Sequence, residues 1–231
     1  MSYILHEMPK QVDQGLIEKC SRTETATIGH IRHMGFADRR IQNVLNNNLT
    51  ISGTAVTLAI PGQDSTLLHH IVQFLRPGDI LCIDRLGDDK HACLGGGVAA
   101  AIVASGCNGV ILDGPCTDVP EIEQYELPVW CKGTSPITTR IYDNCGSFNV
   151  PISVGGSVIN PGDVVIADFS GVLVMDPESA ETDVDWALAK MSAEFDGHKK
   201  MLAGEKLGVL SGASKKVENK LKELSNWNIW T

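Results

Sequence analysis

The sequence predicts one mixed α/β domain with N-terminal helices and a C-terminal helical extension. Three observations carry that expectation. Short β-branched runs bounded by Gly, Pro or Asp alternate with segments of helical period, as where Ile51–Ile60 gives way to residues 65–75. A Pro-Gly-Asp turn that feeds an apolar run ending on an acid occurs twice, at Pro77–Asp84 and Pro161–Asp168. Gly95-Gly96-Gly97 opens an Ala/Val/Ile-rich stretch that stops at Gly106, a helix with glycine at both ends.

The elements follow in order. Val12, Leu16, Ile17 and Cys20 fall at helical spacing, so residues 10–20 read as a helix. Residues 23–46 read as a second helical region, interrupted near Gly35 and ended by the turn Asn46-Asn47-Asn48. Ile51–Ile60 is a strand stopped by Pro61-Gly62. Ser65 is placed to cap a helix carrying Leu67, Leu68, Ile71, Val72 and Leu75. The two Pro-Gly-Asp copies feed strands Ile80–Ile83 and Val164–Ala167, which suggests two similar sheet edges. Further short strands are expected at Val110–Leu112, Val129–Cys131, Val150–Val154 and Val172–Met175. Val184, Leu188, Met191, Phe195 and Leu202 trace one helix face. A Gly/Ser-containing link at 204–214 then leads to a charged last helix with Val217, Leu221 and Leu224. The domain organisation expected is residues 1–205 as the α/β domain and 206–231 as a helical tail.

Composition narrows the function. The 231 residues carry a net charge of −9, which disfavours a nucleic-acid partner and suits a protein that holds a cation. Apolar residues make up 43%, enough for an ordinary core, and no apolar run approaches membrane-spanning length. The start MSYILHEMPK has early charge and Pro9, unlike a signal peptide. Seven cysteines without a C-x-x-C pattern read as reduced, buried thiols, and so as a cytoplasmic chain. Trp227 and Trp230 are expected to pack on the body or on a neighbouring subunit. Glycine is in excess, at 23 residues, and this suggests tight turns or backbone in close approach to a ligand.

Two segments could carry chemistry. A helix that starts at Gly95, Gly96 and Gly97 presents free amides and a partial positive charge, a place for carboxylate or phosphate. Asp113-Gly114-Pro115-Cys116-Thr117-Asp118 follows a strand, where α/β sheets collect ligands, and its carboxylates suit a hard cation such as Mg²⁺ or Mn²⁺. His91 lies in the same region and is chemically suited to acid–base work. Arg85, at a strand end, is either a ligand-gripping guanidinium or a salt-bridge partner. Gly29-His30-Ile31-Arg32-His33 is a dense basic cluster for so acidic a chain.

These motifs together resemble the RraA-like family, which joins the regulator of ribonuclease activity A to the class II aldolases that cleave 4-hydroxy-4-methyl-2-oxoglutarate. The residues that carry the likeness are G-x-x-G-V-I-L-D-G-x-x-x-D from Gly106 to Asp118, N-V-P-I-S-V-G-G-S-V-I-N-P-G-D-V-V-I-A-D from Asn149 to Asp168, and G-V-L-V-M-D-P from Gly171 to Pro177. The resemblance implies a swivelling β/β/α fold like that of the phosphohistidine domain, a homotrimer or hexamer, and a site between subunits. It makes Asp118 the metal ligand, and Gly95, Gly96, Gly97 and Val98 the backbone that holds the substrate carboxylate. The aldolases carry an Arg where this chain has Thr117, and an acid where it has Gly96. Thr offers one hydroxyl but neither the charge nor the fork of a guanidinium.

The resulting expectation is a metal-dependent lyase, aldolase- or decarboxylase-like, acting on a small 2-oxo or hydroxy acid through a metal-stabilised enolate. Its catalytic residues are Asp118 and His91. Thr117 and Arg85 join the glycines in binding substrate. The alternative is a non-catalytic regulator that binds a protein partner.

Overall fold

The computed structural model describes residues 2–225. Its N-terminal part holds strand β1 (Tyr3–Leu5), helices α1 (Gln14–Cys20) and α2 (Thr25–Ile28), and strand β2 (Gln42–Asn43). The helix expected over 10–20 starts only at Gln14, because the Asp13 carboxylate accepts from the amides of Gly15 and Leu16 and caps it there. The helical region expected over 23–46 is a larger departure, since only the four residues of α2 and little else of it are helical. Gly35 turns the chain at φ +93°, and the segment beyond it pairs with sheet backbone. The Val174 amide donates to the Gly35 carbonyl, and the Ala37 amide to the Val172 carbonyl. Long-range pairing overrides the local helical spacing here.

The middle of the chain supplies β3 (Ile51–Ala59), α3 (Thr66–Ile71), β4 (Asp79–Asp84), α4 (Gly96–Ser105), β5 (Gly109–Asp113), α5 (Val119–Gln124) and β6 (Val129–Cys131). There follow β7 (Gly146–Phe148), β8 (Ile152–Val154), β9 (Ser157–Ile159), β10 (Val164–Ala167) and β11 (Val172–Met175). Helices α6 (Pro177–Leu202), α7 (Leu207–Leu210) and α8 (Ala213–Ser225) end the described chain.

The main sheet is open and runs β1-β7-β3-β4-β5-β6-β2, with β10 beside β3 and β11 beside β10. Strands β3 to β6 are mutually parallel, so α4 and α5 are crossovers between neighbouring strands. All nine residues of β3 are buried. Val56 and Leu58 face a core shared with Leu68, Ile102 and Ile122 of the helices. Ala55 and Ala59 face a second core, with Ile152, Val154 and Ile159 of the β8–β9 hairpin. The result is a layered helix, sheet and hairpin arrangement, the mixed α/β architecture the sequence predicts.

The two Pro-Gly-Asp strands are not sheet edges. Both pair with β3, on its opposite sides: Thr54 stands between Asp79 of β4 and Val164 of β10. The turns are pinned to the same strand, since the Thr54 amide donates to the Gly78 carbonyl and the Gly162 amide to that of Ala55.

Two compact units divide at Ala187/Leu188, within α6. In the first, Ala180, Val184 and Ala187 of this helix are buried. In the second, Phe195, Leu202, Val217 and Leu221 are exposed, so the apolar stripe read from the sequence is buried only at its start. Trp227 and Trp230 lie outside the described residues. No helix among the described residues is long and apolar enough to cross a membrane.

Ser65 precedes α3 without capping it through its side chain; Asp64 does that work instead. The Asp64 carboxylate also accepts from the Thr66 hydroxyl and from the amides of Tyr142 and Asn144, and so ties the 140–144 loop to the start of α3. Burial alone would raise this carboxyl, but these donors outweigh it and hold it at about 2. A depressed native pKa stabilises above the unfolded value near 3.9, and that stability is lost as pH falls through the native one. Asp64→Asn is therefore expected to lower stability by about 2 kcal/mol at pH 7. Denaturant titrations should show the gap to the wild type closing between about pH 4 and pH 2.

Candidate functional site

The loops that leave the carboxyl ends of β4 and β5 run side by side, joined by single backbone pairs. The Thr117 amide donates to the Leu94 carbonyl, and the Cys116 amide to that of Gly133. The Ala92 amide donates to the Ile137 carbonyl, and the Arg140 amide to that of Gln63. These bonds satisfy backbone that has left the sheet and fix the walls of a cavity of about 430 Å³. Gly95, Gly96, Gly97, Val98, Thr117 and Asp118 all line it.

The three glycines make room for three different things. A Cβ on Gly95 would stand 2.6 Å from Asp118 Oδ2 and 2.9 Å from the Thr117 methyl carbon. Its absence lets Asp118 approach the helix end and accept the Gly96 amide at 2.9 Å. A Cβ on Gly96 would collide with the Glu121 carboxylate, which fills that space from the first turn of α5. Gly97 has no neighbour in that direction, so the third glycine keeps its side open. The next amides of α4, those of Gly97 and Val98, have no acceptor within their own helix. The helix ends at Gly106, whose φ of +77° is the expected left-handed cap.

Asp118 is exposed at the cavity and holds a left-handed conformation, φ 54°, one that Asp tolerates better than most residues with a side chain. Its second oxygen accepts from the Thr117 hydroxyl at 3.1 Å. Thr117 thus steadies the carboxylate beside it.

Two expected site residues stay outside. Arg85 is fully buried and does not line the cavity. Its Nη2 donates to the Gly62 carbonyl and, at 3.4 Å, to that of His91, while Nε and Nη1 have no partner among the described residues. His91 points away too: its Nδ1 meets Asp88 Oδ2 at 2.8 Å. In the basic cluster, Arg32 binds Asp183 at 2.6 Å and Ser179 at 3.1 Å, which anchors the start of α6.

Two cavity residues had no signal in the sequence. Arg140 brings a guanidinium to the wall; Nη1 is held by the Thr138 hydroxyl at 2.6 Å and the Thr139 carbonyl at 3.0 Å. His69 of α3 brings an imidazole. Both depend on the pairing of residues 63–65 with residue 140, a contact between segments about 75 positions apart. Only the Thr-Thr-Arg run itself could have hinted at a polar wall.

A hard divalent cation suits this donor set in a limited way. No three His, Cys, Asp or Glu side chains cluster as a metal site among the described residues. Asp118 nonetheless offers carboxylate oxygen to an open cavity with room for water and ligand oxygens, the manner in which Mg²⁺ is often held. Below the cavity, Cys116 and Cys131 place their sulfurs 3.6 Å apart, and all seven cysteines are free. Burial pushes the Cys93 thiol up to about 11, with the Arg85 charge offsetting part of the rise, so it is no ready nucleophile.

The chain is similar to known proteins of one family. Residues 23–174 match the RraA-like family, described as Aldolase/RraA. A protein of Halalkalibacterium halodurans, provisionally named a 4-hydroxy-4-methyl-2-oxoglutarate aldolase, is 28% identical over 75% of this chain and 81% of its own. An Arabidopsis thaliana protein with the same provisional name is 28% identical over 70% of this chain and 94% of its own. Among solved structures, Streptomyces coelicolor RraAS2, described as an unusual member of the RNase ES inhibitor RraA family, superposes with a TM-score of 0.72. It is 26% identical, over 82% of this chain and 99% of its own.

A buried cation that lacks an ion-pair partner carries a desolvation cost that an apolar side chain of similar volume does not. Arg85→Met is accordingly expected to keep or raise the melting temperature. A fall of several degrees in thermal denaturation would show that the guanidinium holds the loop structurally.

Proposed function

The chain belongs to the RraA-like family, and on that footing we propose that it is a lyase of the aldolase or decarboxylase type, acting on a small 2-oxo or hydroxy acid. The observation that carries this reading is the convergence on one cavity of the α4 amide end, Asp118 and the Arg140 guanidinium. In this reading the free amides of Gly97 and Val98 take the substrate carboxylate. Arg140 supplies the permanent positive charge that Thr117 does not. Thr117 orients Asp118 through its hydroxyl. Asp118 is the residue that would hold a divalent cation such as Mg²⁺ or Mn²⁺.

A cation so held would supply Lewis acidity for the 2-oxo group, which must accept charge as a C–C bond breaks. The protein's own groups do the rest. Arg140 and the helix end are fixed before substrate arrives, so they meet developing negative charge without reorganising. His69 faces the same space and carries the group suited to moving a proton near neutral pH.

A second reading, a non-catalytic regulator that binds a protein partner, draws on the likeness to RraAS2 and on the glycine and threonine at positions 96 and 117. Turnover separates the two. With Mg²⁺ or Mn²⁺ and a panel of 2-oxo acids, the lyase reading expects pyruvate release that falls about 100-fold or more in Asp118→Ala. Arg140→Met is expected to raise KM about tenfold with a smaller change in kcat. No pyruvate from any 2-oxo acid would favour the regulator.

A further inference from the structure

Two sulfurs that take no part in the candidate site stand in contact. Cys116 Sγ and Cys131 Sγ are 3.6 Å apart and share a hydrogen bond, the one such sulfur pair among the described residues. The segments that carry them are tied side by side. The Cys116 amide donates to the Gly133 carbonyl, and the Ser135 amide to that of Cys116. A sulfur–sulfur bond is about 2 Å long, so each sulfur has to move by about 0.8 Å to form one, within reach of side-chain rotation.

The two thiols differ in access. Cys131 lines a second open space of about 900 Å³, which Arg39, Asn43, Val44 and Gly87 line with it. Cys116 is wholly buried and lines neither that space nor the Asp118 cavity. Hydrogen bonding with Cys116 also holds the Cys131 thiol below its ordinary value, against the burial that raises it. An approachable thiolate backed by a sheltered second thiol is the arrangement that turns a sulfenic acid into a disulfide. The position matters too. Cys116 lies two residues before Asp118, and a bond from it to Cys131 would close a loop of chain that holds all of α5.

We propose that Cys131 is a redox modification site and that Cys116 is its resolving partner. The oxidant is hydrogen peroxide, small enough to reach a thiol with so little exposure. The Cys131 thiolate attacks one peroxide oxygen, the O–O bond breaks, and hydroxide leaves a sulfenic acid behind. Cys116 then attacks the Cys131 sulfur. The S–O bond breaks, the Cys116 proton departs with the hydroxyl as water, and the S–S bond forms. The pair gives up two electrons and the peroxide takes them. A dithiol reductant returns both thiols by exchange. The bond draws on the loop that sets Asp118 and slows turnover, a consequence that rests on the lyase reading.

In the test, the full chain is treated with hydrogen peroxide, its remaining thiols are alkylated under denaturing conditions, and its peptides are mapped by mass. The wild type is expected to lose about 2 Da in a linkage of Cys116 to Cys131, and to regain it with a dithiol. Cys20, Cys82 and Cys107 are expected to stay open to alkylation. In Cys116→Ala, a dimedone probe is expected to mark Cys131 as the sulfenic acid; in Cys131→Ala, neither mark nor linkage forms. The wild-type map stands without either variant, should one fail to fold. No linkage in the wild type, a linkage of either cysteine to Cys93 or Cys145, or a sulfenic acid elsewhere in Cys116→Ala would each overturn the proposal. In the pyruvate assay, peroxide is expected to slow the wild type about tenfold or more, reversibly, and to leave Cys131→Ala at its own rate. A linked wild type as fast as the reduced one would overturn the effect on the Asp118 loop. A mapped linkage with pyruvate from neither form would sink the lyase reading and leave the redox pair standing.

Discussion

Everything in the α/β body depends on β3 being buried along its whole length. A strand covered on both faces and paired on both edges has no freedom of register, because a slip of one residue would exchange its two cores. Thr54 is held between Asp79 and Val164, which sets β4 and β10 at once. With β4 set, the parallel order of β4, β5 and β6 follows, and so does the place where their outgoing loops meet. The polar atoms inside this strand are satisfied: the Thr57 hydroxyl donates to the Val150 carbonyl at 2.6 Å, and the Thr54 hydroxyl accepts the Val12 amide at 2.9 Å.

On the lyase reading an acidic chain meets an anionic ligand through local groups, the helix-end amides of α4 and the Arg140 guanidinium, and net charge says little about such a place. The loops that shape it lie beyond the sheet and are joined to one another by single backbone pairs. That lets residues from α3, α4, the 117–118 loop and the 138–140 loop share one wall.

Much of this was legible in the sequence, and the rest was hidden for identifiable reasons. Strands with β-branched cores were readable because their burial is two-sided, and α4 because glycine brackets it. Asp118 and the glycines were found together because both lie at strand exits of consecutive crossovers. Residues 23–46 misled, since helical spacing there is outweighed by pairing of Phe36 with Leu173, more than 130 positions away. Arg85 stands at a strand exit as expected, but points inward beneath its loop, a choice of direction that period and propensity do not encode. Arg140 and Glu121 were invisible because one depends on a long-range loop pairing and the other on an empty volume in a different helix.

That empty volume ties two distant columns of the sequence into one trait. A side chain at 96 and the carboxylate of Glu121 exclude each other, so neither substitution has a fixed effect of its own. Drift at either position is constrained by the current state of the other, and a lineage passing from one arrangement to the other crosses a stage with a crowded site or with one acid fewer. A reading that scores each position separately misses this exclusion, because the volume at 96 and the carboxylate at 121 are one packing unit.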